Sequence, residues 1–143
     1  MPQSTRFSVA IHILVSLALR GEALNSAELA WSIDTNPSMV RRILASLKRA
    51  GLVTSRSGPD GGAEIARDPK RITLLEVLHA VDLKPATGVH RPNPECPLGA
   101  VIDEPLAAVL AEADQAAEQV LAGKTVHEVA RTVGRRIGRR ARV

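Results

Sequence analysis

Aromatic side chains are almost missing from this chain of 143 residues, which holds one Phe (Phe7), one Trp (Trp31) and no Tyr. Single-stranded nucleic acids are held largely by stacking bases on aromatic rings, so they are excluded as the main partner. A single cysteine, Cys96, leaves no intramolecular disulfide framework and points to a reduced compartment, the cytoplasm. The apolar run from Phe7 to Leu19 is interrupted by His12 and Ser16 and followed by Arg20-Gly21-Glu22 without a cleavage-like site. It is too short to span a membrane and reads as a core helix.

Catalytic constellations are lacking too. His12, His79, His90 and His127 are scattered, and His127-Glu128 lacks the second His of a zinc-protease helix. Gly58-Pro59-Asp60-Gly61-Gly62 lies between strand-like segments, the wrong context for a nucleotide loop. Neither enzymatic activity nor a metal or other cofactor is expected.

What is present is enough apolar residue, 45%, for one aliphatic core with an appended element. Charge is divided unevenly along it. Residues 1 to 71 carry +4, residues 72 to 130 carry −6, and residues 131 to 143 carry +6, all of it arginine. Such a division suits a molecule in which one part meets phosphate and another meets protein.

The organising stretch is Thr35-Asn36-Pro37-Ser38-Met39-Val40-Arg41-Arg42-Ile43-Leu44-Ala45-Ser46-Leu47-Lys48-Arg49-Ala50-Gly51. Asn36 suits an N-cap, Pro37 the first helical turn and Gly51 a left-handed stop. Val40, Ile43, Leu44 and Leu47 share one face at 3.6 residues per turn, leaving Ser38, Arg42, Ala45 and Arg49 opposite and Arg41 and Lys48 at the shoulders. Ser26 to Ile33 reads as a short helix capped by Asn25 or Ser26, only Asp34 and Thr35 ahead of Asn36. Two helices so joined form a helix-turn-helix whose second helix reads the major groove.

Leu52 to Arg56, the turn from Ser57 to Gly62 and the return from Ala63 to Ala66 predict a β-hairpin wing with an open, Gly-rich tip. The predicted fold is mainly α with a small β-hairpin: a winged helix-turn-helix plus a long C-terminal dimerisation helix.

A first helix is predicted from Phe7, Ala10, Ile11, Leu14, Val15 and Ala18, with Ser4 or Thr5 as its cap and Gly21 near its end. Thr73 to Glu76 has the capping-box arrangement and opens an apolar helix through Leu74, Leu75, Val77, Leu78 and Val81, placed at the junction of the two parts. Pro85, Pro92, Pro94 and Pro97 forbid regular helix in the loop that follows, the place for a regulatory input. Asp103 is then expected to cap a long helix with Pro105 in its first turn. Its Leu106, Val109, Leu110, Ala113, Ala117, Val120 and Leu121 stripe is longer than a small domain can cover, which predicts a helix-helix dimer seam. The blander alternative folds that helix back on its own domain.

Thr125-Val126-His127-Glu128 is a second capping box, opening a last helix with Arg131, Arg135, Arg136, Arg139, Arg140 and Arg142. That tail can touch DNA phosphates, cover the acidic middle or stay frayed. The parts are then residues 1–82, a winged helix-turn-helix domain; 83–102, a Pro-rich regulatory loop; and 103–143, the dimerisation helix and basic tail.

Gly51-Leu52-Val53, Arg56-Ser57-Gly58-Pro59-Asp60-Gly61-Gly62, Asp68-Pro69, Ile72-Thr73-Leu74, Glu76-Val77 and Ala80-Val81 together resemble the Rrf-type winged-helix regulators, the family of IscR, NsrR and CymR. The resemblance covers nearly the whole chain, to Thr125-Val126-His127-Glu128-Val129. It implies a homodimeric bacterial transcription regulator, usually a repressor, on a dyad-symmetric operator. Some members hold an iron–sulfur cluster on three cysteines in the loop before the long helix. Here that loop has Cys96 alone and Gly99 where such a member carries His, so the resemblance is to the cluster-free branch. Ala63 departs from the family too, standing where an aromatic residue is common, which implies weaker wing packing.

The expected partners are double-stranded DNA and a second copy of the chain, with the small-molecule or redox effector unknown. Ser38, Arg41 and Arg42 are expected at base edges or phosphates, Arg49 and Arg56 at phosphates, and Ser57 with Gly58 at the wing's approach. Ser26 and Asn36, at two helix starts, join the candidate DNA contacts. Arg6 is either a phosphate contact or a solvated side chain. Cys96 is either a redox-sensitive thiol or a half-buried residue closing the loop. The rival function is a winged-helix interaction module whose basic face docks an acidic protein.

Overall fold

The computed structural model describes residues 2–83 and 88–140, with side chains from residue 5 onward. The Ser4 side chain, the loop stretch 84–87 with Pro85, and Arg142 lie outside the described residues. Among the described residues the chain runs α1 (Pro2–Arg20), α2 (Ser26–Ile33), α3 (Pro37–Arg49), β1 (Val53–Arg56), β2 (Gly62–Ile65), a 3-10 turn at Pro69–Arg71, α4 (Leu74–Ala80), α5 (Asp103–Ala122) and α6 (Val126–Arg140). It is mainly α with one small antiparallel hairpin.

The core forms around α1, whose Ala10, Ile13, Leu14, Val15 and Leu17 are buried. It packs against α2, α3, α4, α6 and β2, so the apolar run of the sequence is the centre of the domain. The helix starts at Pro2, which puts Thr5 inside it rather than at the expected cap; a proline ring needs no N–H partner in a first turn.

Local chemistry sets the other boundaries. Asn25 caps α2 and shares a reciprocal capping box with Glu28, while Asp34 ends that helix in the left-handed conformation at φ 61. Asp tolerates this backbone because its short polar side chain relieves part of the cost, so α2 and α3 are joined by only three residues. The Thr35 N–H closes the turn onto the Ala30 carbonyl at 3.0 Å. Asn36 then caps α3, accepting from the Met39 N–H at 2.8 Å, with Pro37 as the first helical residue. Gly51 leaves α3 at φ 74, a conformation that a side chain there would strain.

The hairpin pairs Val53 with Ile65, Thr54 with Glu64, Ser55 with Ala63 and Arg56 with Gly62. Leu24 adds a third strand-like rung: its N–H and carbonyl both bond to Ala63, at 3.0 and 2.8 Å. Ala63 is 7% exposed, and its backbone pairing to Leu24 and to β1 anchors the wing root. Gly62 is required beside it, because a Cβ there would collide with the Leu24 carbonyl.

Two helices start side by side. Thr73 and Thr125 form a bridge, and each opens a capping box, with Glu76 and Glu128 respectively. From that bridge α4 runs into the junction against α1, α3 and α5, and α6 returns to pack on α1. Val126 and Ala130 of α6 therefore belong to the same core as α1 and α3.

One expected cap does not form. Asp103 lies within α5, preceded by Ile102 in helical backbone and with no side-chain cap bond. Helical turns already bond Ala100 to Cys96 and Ile102 to Leu98, at 2.8 and 3.1 Å, so the chain enters α5 from a turn rather than from an extended residue that a side chain would cap. No residue of α5 is buried.

Candidate nucleic-acid interface

On α3, burial of Val40, Ile43, Ser46 and Leu47 turns Ser38, Arg41, Arg42, Ala45 and Arg49 to solvent. The amphipathic pattern is thus spent on both sides: one face closes the core and the other presents four cations within nine residues, Lys48 included. Ser46 is the one buried polar side chain among the described residues; it donates to the Arg42 carbonyl at 3.4 Å and accepts from Arg49 Nη2 at 3.2 Å. Arg49 is thereby held close to its own helix. Arg41 Nη2 donates to Ser38 Oγ at 3.2 Å, and among the described residues the Arg42 guanidinium has no side-chain partner.

Beside this face stands the wing. Between α3, the start of α2 and the hairpin lies an open cleft of about 460 Å3, with Ser26, Arg41, Lys48, Thr54, Ser55 and Arg56 among its walls. Lys48 Nζ donates to Ser55 Oγ at 3.1 Å and so ties the recognition helix to the hairpin. Arg56 pairs with Glu64 across the hairpin at 3.1 Å; the two side chains are 63% and 37% exposed, a surface pair that a phosphate can displace at little cost. Ser57 and Gly58 are exposed at the hairpin tip, Gly58 with φ 105.

Of the candidate residues, Ser26, Arg41 and Arg56 line this cleft, while Ser38, Arg42 and Arg49 lie along the exposed side of α3. Asn36 spends its side-chain oxygen on the cap, which leaves its amide group free to donate outward. Arg6, half-buried in α1, lines none of the cleft wall. Lys48, Thr54 and Ser55 line the cleft as well, although the sequence does not single them out as DNA contacts. Lys48 was visible at the shoulder of the helical wheel; Thr54 and Ser55 were not, since strand alternation buries one of any two neighbours, and β1 exposes Thr54, Ser55 and Arg56 in a row.

In the loop before α5, Cys96 is exposed, not half-buried as one of the two readings had it. Backbone N–H groups of Gly99 and then Leu98 point at its sulfur and hold the thiol below its ordinary pKa, because hydrogen bonds to the charged form favour it.

Two helices, a short turn and a wing with a cationic outer face define a winged helix-turn-helix DNA-binding protein. The chain belongs to the Rrf2 family, described as "Iron-dependent Transcriptional regulator", whose family model matches residues 3–132. It is 41% identical over 128 residues to YwnA of Bacillus subtilis, a relative named as an HTH-type transcriptional regulator, covering 88% of this chain and 95% of YwnA. It is also 34% identical over 86 residues to the HTH-type transcriptional regulator IscR of Cereibacter sphaeroides, covering 57% and 56% of the two chains. Among solved structures, one described as a DNA binding protein superposes with a TM-score of 0.70 at 38% identity, covering 87% of this chain and 97% of that one. T. potens IscR shares the fold, with a TM-score of 0.71 at 18% identity over 90% and 85% of the chains.

Family and relatives are transcriptional regulators, not enzymes. The iron in the family description is a separate matter. A cluster needs several thiolates, this chain has one cysteine, and among the described residues no three His, Cys, Asp or Glu side chains gather to hold a metal ion. The donor set does not fit.

Proposed function

We propose that the protein is a homodimeric repressor that binds a dyad-symmetric operator in double-stranded DNA, acts in the cytoplasm and holds no iron–sulfur cluster. The observation that carries this reading is the pairing of two unfinished surfaces in one chain: the cationic outer face of α3 beside the wing, and the α5 stripe without a buried residue. Ser38, Arg41 and Arg42 meet base edges or phosphates, and Arg49, Arg56 and Lys48 neutralise phosphates, with Ser57 and Gly58 bringing the hairpin tip to the backbone. Along α5, Leu106, Leu110, Ala117 and Leu121 are half-buried by the protomer itself, while Val109 and Val120 are 63% and 61% exposed and Ala113 is exposed. A second α5 covers that stripe and sets two recognition helices one DNA turn, or a multiple of it, apart.

The test is to titrate the purified, reduced protein against genomic fragments, the promoter upstream of its own gene among them, at physiological salt. Selective retention of fragments that share a pseudo-palindrome is the expected result. Binding that is uniform across sequences and lost with salt contradicts operator recognition, and absence of duplex binding turns the search to an acidic protein partner.

A further inference from the structure

Trp31 is 87% exposed in a chain with only one other aromatic ring, and it does not stand on a flat face. With Leu19 of α1 and Val133 and Ile137 of α6 it lines a groove of about 680 Å3 between α1, α2 and α6. Leu19 and Ile137 are 42% and 57% exposed, so apolar surface is left open on all three walls. His12 Nε2 and Ser32 Oγ lie 3.0 Å apart on the same walls, and both groups can donate or accept.

We propose that this groove binds an uncharged aromatic molecule of one or two fused rings bearing a hydroxyl or carbonyl group. Its volume falls in the range of roughly 300–1,000 Å3 typical of small-molecule sites, and its mainly apolar lining with one polar pair is what such sites share. The Trp31 indole supplies a face for offset stacking, and the aliphatic walls of Leu19, Val133 and Ile137 take the opposite side of the ring. A hydroxyl or carbonyl then meets the His12 and Ser32 pair.

Charge argues for a neutral ligand. Arg20 and Glu28 both reach the groove, but Arg20 Nη2 is paired with Glu22 at 3.0 Å, and Glu28 Oε2 accepts from the Asn25 N–H at 2.8 Å. Opposite signs, each already engaged, select no ion. An apolar protein segment is disfavoured as well, because exposed Arg136 and Arg140 lie on the Ile137 side of α6, and an apolar protein surface laid across them would bury charge without partners.

A ligand wedged between α6 and α2 fixes the position of α2, and only three residues separate α2 from the reading helix α3. Its effect on operator affinity rests on the function proposed above; its binding does not. The test therefore leaves DNA out.

The full-length, reduced protein is titrated with 2-naphthol, and with 2-naphthoate as the anionic counterpart, by calorimetry and by emission from Trp31, the chain's one indole. Saturable binding of 2-naphthol, one per chain, with quenched Trp31 emission and at least tenfold weaker uptake by Ile137→Glu, is expected. Trp31→Ala, read by calorimetry, shows the same loss and guards against a folding defect in the first variant. Four results overturn the proposal: no saturable uptake, wild-type affinity in both variants, tighter binding of 2-naphthoate, or Trp31 emission that shifts with protein concentration alone because a second copy fills the groove.

Discussion

α3 and α5 are both amphipathic helices, yet the shorter one buries four residues and the longer one buries none. In α3 the apolar stripe closes the core of its own domain, and the face left over is cationic. α5 is a helix of 20 residues with five acids and no Lys or Arg, and α4, the helix it packs on, is only seven residues long. A stripe that outruns its support is stable when something else covers it. The difference teaches that the α3 stripe is covered within the protomer whereas the α5 stripe is not, and it is this contrast that supports the proposed seam.

The comparison can be broken most forcefully from the buried side. Leu47 is fully buried in α3, so Leu47→Ala is expected to cost about 2–5 kcal/mol, read as a loss of urea or thermal stability. A cost under about 1 kcal/mol would show that α3 is not a core helix. On the α5 side, Val109→Glu with Val120→Glu should leave helix content by circular dichroism close to wild type and move the sedimentation coefficient to that of a monomer. A dimer that survives both charges contradicts the proposed seam.

Smaller effects sharpen the picture. Arg42→Ala should weaken operator binding by about 1–3 kcal/mol, the worth of a bidentate guanine contact, while changing fold stability by less than about 0.5 kcal/mol. Unchanged operator affinity removes Arg42 from the reading set. Thr73→Ala deletes one side of the capping box that opens α4 and is expected to cost about 1 kcal/mol in denaturant unfolding.

Glu76, the other half of that box, adds a dependence on pH. Partial burial pushes its carboxyl up, but the Thr73 N–H, the Arg67 guanidinium at 2.9 Å and the Thr73 hydroxyl together outweigh this and hold it below its ordinary value. A lowered folded-state pKa means that the stabilisation is fully present above the unfolded value, about 4.5, and is lost as pH falls through the folded one. Glu76→Gln should flatten the acid side of the stability profile and leave neutral pH behaviour to the remaining hydrogen bonds. Smallest of all in stability is Cys96: its exposed, hydrogen-bonded thiol should alkylate faster at pH 7.5 than an unstructured cysteine peptide, with unfolding unchanged. Equal rates would deny the loop any influence on that sulfur.

Much of this arrangement was legible in the sequence because its signals are local. Asn36-Pro37 and Gly51 bound α3, Thr73 with Glu76 and Thr125 with Glu128 open α4 and α6, and the Gly-rich turn separates β1 from β2, each within a few residues of chain. Less legible was whatever depends on distant partners. The bond between Leu24 and Ala63 and the bridge between Thr73 and Thr125 join segments about 40 and 50 residues apart, for which no periodicity exists to be read. Asp103 misled because a good capping residue was judged without the turn before it, and that turn is already helical. In the candidate interface, the cations of α3 followed from helical phase, whereas Ser55 lies in the cleft wall because β1 exposes three neighbouring residues beside α3, where Lys48 reaches it.

The most direct test of the central claim is hydroxyl-radical footprinting of the reduced protein on the fragment it retains best. Two equivalent protected patches related by a dyad, with centres one helical turn or a multiple of it apart, are the predicted result, since two α3 faces are then held by one α5 pair. One unpaired patch, or protection spread evenly along the duplex, would contradict the account.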